Sequence, residues 1–145
     1  FEAASYLKRS GADVTRVRKM FRTDIDAYKQ KVAGVRNAEL FMDDYAIGIL
    51  PSEGVDSPTV LAAQIANELL DIDGVKASFM LTQVKDTVYI SARSIDEVNV
   101  QVIMERLGGG GHATVAGAQL HDCTVEEGKK QLQELLEKMT VEGDI

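Results

Sequence analysis

The 145-residue chain has one cysteine, two prolines, two histidines and no tryptophan. A lone cysteine, Cys123, excludes an internal disulfide and suits a reducing, cytoplasmic setting. Nothing near Cys123 in sequence has metal-ligand spacing, so a catalytic or metal role is not expected of it. No apolar run approaches the roughly 20 residues that a bilayer-spanning helix needs, and no signal peptide is visible. No membrane contact is therefore expected of this segment. Phe1 opens directly into an amphipathic pattern, which reads as a piece cut from a longer protein. The two histidines, His112 and His121, are nine positions apart and no His–Asp cluster accompanies them. Asp43 and Asp44 form an acidic pair, but it opens a strand candidate and reads as solvated. P-loop, Gly-x-Gly-x-x-Gly and Gly-x-Ser-x-Gly patterns are all missing. These absences describe a binding half and no complete catalytic centre.

Glycine, in contrast, is concentrated. Four of the 12 glycines run together as Gly108, Gly109, Gly110 and Gly111, followed by His112. Glycine is costly to order, so such a run in a folded domain needs a reason. A flexible loop is one; backbone N–H groups approaching an anion with no Cβ in the way is another. The imidazole of His112 and the hydroxyl of Thr114 fit the second, as do the small residues Ala113, Ala116 and Gly117. Upstream, Ser91 and Arg93 are expected on one face of a strand, with Ser94 and Asn99 following. An Arg at a strand end is placed to fork onto a phosphate.

Charge divides the chain. Residues 1–37 hold nine basic and four acidic residues, a net +5, and the remainder holds seven basic and 19 acidic, a net −12. An acidic body is a poor platform for duplex nucleic acid, which rewards dense Lys and Arg. It still permits a local pocket for a short nucleotide. The basic segment reads as a solvated helix face packed on another domain.

Periodicity supplies the elements. Residues 1–10 suit a helix, and residues 13–37 read as helix in two pieces, with Asp13 as cap. Val14, Val17, Met20 and Phe21 form one apolar face; Ile25, Tyr28, Val32 and Val35 continue it. Such a stripe needs a partner: this chain, another domain or a second subunit. Residues 44–50 read as a strand. Ser57 and Pro58 start a helix whose buried face is Leu61, Ile65 and Leu69. Asp73-Gly74 is a turn, and 75–84 and 87–93 are paired strands with Lys85-Asp86 at the tip. Val88, Ile90 and Ala92 should point one way, and Tyr89, Ser91 and Arg93 the other. Asn99 to Leu107 is a helix candidate, Ala113–Ala116 a helical turn and Ala118–Asp122 a short strand. Thr124 to Glu127 is a capping box opening a final helix buried through Leu132, Leu135, Leu136 and Met139. The expected fold is α/β: a small mixed β-sheet flanked by helices and preceded by a helical linker.

The stretch from Val88 to Leu120 resembles the DHH-associated domain of DHH-family phosphoesterases. That family includes RecJ-like exonucleases, nanoRNases, exopolyphosphatase-like proteins and cyclic di-AMP phosphodiesterases. The Arg-Ser pair, the Asn about five residues on and the glycine-rich His loop occur in the family's order. The opening, Phe1 to Phe21, resembles the segment joining the DHH domain to this one in GdpP-type cyclic di-AMP phosphodiesterases. The resemblance implies a linker at 1–37 and a substrate-binding domain at 38–145. It implies a partner DHH domain carrying two manganese ions, with metal-assisted phosphodiester hydrolysis across the cleft between the two. No catalytic or metal residue is expected here. Ser91, Arg93, Ser94, Asn99, Gly108, Gly109, Gly110, Gly111, His112 and Thr114 are expected to hold a cyclic dinucleotide or a short nucleotide. The longer parent would be membrane-anchored. The alternatives are a nucleic-acid-binding module of a nanoRNase, RecJ-like exonuclease or exopolyphosphatase-like phosphoesterase, and a dimerisation element built on the 13–37 stripe.

Overall fold

A computed structural model describes residues 14–16 and 25–145. The expected helix at 1–10, the Asp13 cap and the positions Val17, Met20 and Phe21 lie outside the described residues. Residues 14–16 are helical. Then follow α1 (Ile25–Asn37), β1 (Glu39–Phe41), β2 (Tyr45–Ile49), α2 (Pro58–Leu69), β3 (Ala77–Val84), β4 (Thr87–Ser94), α3 (Val100–Arg106), β5 (Gly110–Gly111), β6 (Val115–His121) and α4 (Val125–Glu142).

The six strands form one sheet in the order β1-β2-β3-β4-β6-β5. Only β2 and β3 run parallel, and the connection between them is the α2 crossover that a parallel pair demands. The mixed α/β expectation therefore holds. Strands β1 and β5 went unread because two or three residues carry no visible alternation.

Alternation along the strands gives the sheet two faces. Ile47, Phe79, Leu81, Val88, Ile90, Ala92, Ala116 and Ala118 share one face, and α3 and α4 cover it through Ile103, Met104, Leu132, Leu136 and Met139. The capping box of α4 is present, with Thr124 Oγ1 accepting from Glu127 N at 3.2 Å and Glu127 Oε1 accepting from Thr124 N at 3.0 Å. On the opposite face, Ala46, Leu50 and Met80 pack under Leu61, Ala62, Ile65, Ala66 and Leu69 of α2. Two buried hydroxyls on β3 hold this layer. Ser78 Oγ donates to Ala66 O at 2.5 Å, and Thr82 Oγ1 donates to Leu50 O at 2.8 Å. Pro58 begins α2 as expected, while the Ser57 side chain makes no cap bond.

Helix α1 packs on α2 through Gly34, whose absent side chain leaves room for Ile65. The expected stripe is not what it buries: Ile25, Tyr28 and Val32 face outward, and only Val35 joins the core. The α1–α2 layer covers β2 and β3 and leans on β4. Beyond it, the half of that face formed by β4 and β6 lies open.

Candidate binding face

The open half-face is built row by row from register. Ser91 lies beside Gly117, and Gly117 beside Gly110, so this row carries almost no side chain. One row toward the end of β4, Arg93 pairs with Val115. In the other direction Tyr89 pairs with Gln119, and Thr87 with His121. The alternation expected of β4 is thus observed: Val88, Ile90 and Ala92 are buried, and Tyr89, Ser91 and Arg93 are only partly so.

Arg93 Nη1 donates to its own strand's Ala92 O at 2.9 Å and to Ala116 O at 3.4 Å. Both partners are carbonyls; among the described residues no carboxylate pairs with this guanidinium. Burial lowers the pKa of this guanidinium from its ordinary value. A part-buried guanidinium with no carboxylate partner among the described residues has donors of a kind that can fork onto an anion.

The glycine run has a structural basis within the fold. Gly108 adopts a φ of 85° and ends α3, its N–H donating to Glu105 O at 3.0 Å. The N–H of Gly109 donates to Met104 O at 2.8 Å, and that of His112 to Val115 O at 2.7 Å. A β-carbon on Gly109 would overlap Gly117 O and stand 2.7 Å from Ala118 Cα. One on Gly111 (φ 142°) would stand 2.5 Å from Val115 O. The close approach is therefore mostly backbone to backbone, where the run is laid along β6. Three of its N–H groups, including that of His112, are engaged within the chain and cannot cradle an anion. Only Gly110 has ordinary φ and open space where a side chain would go.

The remaining expected residues separate. His112 is exposed in the β5–β6 connection, and Thr114 is half-buried. Residues 113–114 are no helical turn, because β6 already begins at Val115. Ser94 turns to the other face and is buried: its Oγ donates to Val98 O at 2.6 Å and Ala113 O at 3.3 Å, which clasps the two loops together. Asn99 caps α3, its Oδ1 accepting from Gln101 N at 3.0 Å and Val102 N at 3.3 Å. Ser94 and Asn99 thus shape the loop, while Ser91, Arg93 and Gly110 stand on the open face.

A pocket of about 390 Å³ indents this face. Ser91, Gly108, Gly109 and Gly117 line it, together with Thr59 from the start of α2 and Tyr89, Gln119 and His121. Reading the sequence missed these last four. The β4 alternation placed Tyr89 on the face of Ser91, and that was the available signal. Thr87 Oγ1 and His121 Nδ1 lie 3.2 Å apart, which fixes the His121 ring at the rim. Among the described residues no three of His, Cys, Asp and Glu converge as metal ligands. The manganese pair that the resemblance implies has no candidate ligand set there.

Residues 47–141 match the DHHA1 domain family. The chain belongs to that family. This DHHA1 domain is 47% identical over 138 residues to the cyclic-di-AMP phosphodiesterase GdpP of Geobacillus thermodenitrificans, covering 94% of the chain and 21% of the relative. It is 45% identical over 133 residues to the cyclic-di-AMP phosphodiesterase PdeA of Listeria monocytogenes, covering 91% and 20%. The chain thus spans about a fifth of the length of these curated relatives. Among solved structures, an exopolyphosphatase-related protein from Bacteroides fragilis superposes with a TM-score of 0.76 at 23% identity, over 93% of this chain and 42% of that one. That likeness concerns the fold of the DHHA1 domain alone.

Proposed function

We propose that this DHHA1 domain is the substrate-gripping part of a cyclic di-AMP phosphodiesterase, and that a separate DHH domain of the same protein supplies two manganese ions and the hydrolytic step. The single observation that carries the reading is Arg93, a part-buried guanidinium on an uncovered sheet face with carbonyls as its partners. Arg93 and His112 take the phosphate, Ser91 and Gly110 form the floor, and Ser94, Asn99 and Thr114 set the loop that carries His112. Relatives named as cyclic-di-AMP phosphodiesterases support the choice of substrate. Residues 1–37 are assigned as the link to the DHH domain and 38–145 as the binding domain, with the last turns of the link docked on α2. No helix among the described residues is long and apolar enough to cross a membrane; an anchor, on this reading, belongs to the rest of the parent.

The test compares affinities of the 145-residue chain for cyclic di-AMP, the linear dinucleotide and a longer oligonucleotide. Preference for the dinucleotides, lost in Arg93→Ala, supports the reading. Preference for the oligonucleotide moves the assignment to the nanoRNase or RecJ-like class. Hydrolysis by this chain with manganese alone should be weak or absent, and robust turnover refutes the division of labour. Light scattering at several concentrations tests whether Ile25, Tyr28 and Val32 join two copies.

A further inference from the structure

The phosphate contacts assigned above, Arg93 and His112, lie at one end of the open face, and Ser91 borders both them and the pocket. The 390 Å³ pocket lies toward the other end, and its volume is that of a small-molecule site. Tyr89 and Arg93 stand four residues apart on the same face, about 13 Å along the strand. A ligand held at Arg93 by its phosphate therefore has a neighbouring part to place near Tyr89.

The chemistry of the lining selects that part. No Lys or Arg among the described residues lines the pocket, so it is not built for a second phosphate; no Asp or Glu lines it either, so it is not built for a cation. Two aromatic rings line it: the His121 imidazole, held near Thr87 Oγ1 at the exposed rim, and the larger, partly buried ring of Tyr89. Among the described residues nothing hydrogen-bonds the Tyr89 hydroxyl or the Gln119 carboxamide beside it. The floor next to that pair is the bare backbone of Gly117, and the fold keeps it bare: a β-carbon there would press on Ile90 O at 2.9 Å. A flat floor, an aromatic ring at its side and an amide offering both a donor and an acceptor describe a receptor for a planar heterocycle.

We propose that the pocket at Tyr89, Gln119 and Gly117 is a nucleobase subsite, in which the base lies on the glycine floor and stacks on Tyr89 while Gln119 reads its edge. The proposal rests on the open face being a nucleotide site and names what determines base recognition within it. Tyr89 is then a specificity-determining residue, with no part in the chemistry of hydrolysis.

The experiment titrates the 145-residue chain with the 5′-phosphorylated adenylate dinucleotide and, separately, with ribose 5-phosphate as a base-free probe, following amide and adenine proton shifts by NMR. Tyr89→Val keeps a strand-favouring residue, and Tyr89→Phe keeps the ring. Each variant's fold is checked by its amide spectrum. The expected result is upfield-shifted adenine protons with the wild-type chain, and about five- to 150-fold weaker dinucleotide binding by Tyr89→Val, the range of one base–aromatic stack. Tyr89→Phe should bind the dinucleotide within about threefold of wild type, and ribose 5-phosphate should respond alike to all three chains. A folded Tyr89→Val that binds the dinucleotide as wild type does overturns the subsite and leaves the nucleotide reading standing. A wild-type chain that binds neither probe overturns both.

Discussion

Gly109 lies against the carbonyl of Gly117 so closely that a β-carbon would overlap the oxygen, whereas Gly110, the next residue, has nothing within 4 Å of the same position. Gly109→Ala should therefore destabilise the fold by about 1–3 kcal/mol, the usual cost of forcing atoms into a packed site. Gly110→Ala should leave stability within about 0.5 kcal/mol yet weaken nucleotide binding, because its methyl would rise from the floor of the open face. Urea unfolding and ligand titration on the two variants separate the effects.

Arg93 gives the complementary case. Its hydrogen bonds go to carbonyls on its own strand and on β6, and among the described residues no acid pairs with it. Arg93→Ala should lower dinucleotide affinity about 10- to 150-fold, the range of a hydrogen bond to a charged group. Its melting temperature should stay close to wild type. Arg93→Lys should recover only part of the affinity, because an ammonium does not fork.

Ser94 and Asn99 should behave in the opposite way. Ser94→Ala takes the side-chain donor from buried Val98 O, while Ala113 O keeps the Val100 N–H, at a cost of about 1–3 kcal/mol. Asn99→Ala removes the cap of α3 and should cost about 1 kcal/mol. Both costs should appear in chemical denaturation. A loss of affinity in either variant without a loss of stability would contradict the clasp and cap roles.

How much of this was legible beforehand follows from the range of each interaction. The β4 alternation, the Lys85 turn, the Thr124 capping box and the buried faces of α2 and α4 are set by neighbours within about a turn, and all were readable. So was the α/β class. The glycine run was found, but the backbone contact that constrains part of it was not. What constrains Gly109 and Gly111 is the backbone of β6, and nothing in a local pattern says that these segments will lie side by side. Ser94 and Asn99 look like ligand-binding polar residues in sequence, and only the fold shows their side chains engaged by the chain's own backbone. The outward set of Ile25, Tyr28 and Val32 on α1 has the same origin. Helical period identifies a stripe, but the neighbouring helix α2 meets α1 through Gly34 instead.

Glu127 supplies a pH test. Its carboxylate accepts from the backbone N–H of Thr124 and interacts with the Thr124 side chain, which holds its pKa below the usual 4.5. A carboxyl depressed in the folded state stabilises fully above its unfolded value, and that contribution is lost as pH falls through the folded value. The melting temperature of the wild-type chain should therefore drop as pH is lowered from 6 toward about 3. Glu127→Gln should show a shallower drop over the same window, because an amide does not titrate there. Identical slopes would remove Glu127 from the account.

The half-covered sheet also sets how this domain can change over generations. Along β4, every second side chain is locked between the strands and α4, while the alternate ones lie part-exposed on the open half-face. Substitutions at Tyr89, Ser91 and Arg93 can thus accumulate without repacking the interior, and those at Val88, Ile90 and Ala92 cannot. A lineage could retune which molecule the face accepts by altering odd-numbered positions alone, so tolerance to mutation across this strand should be a sawtooth of period two.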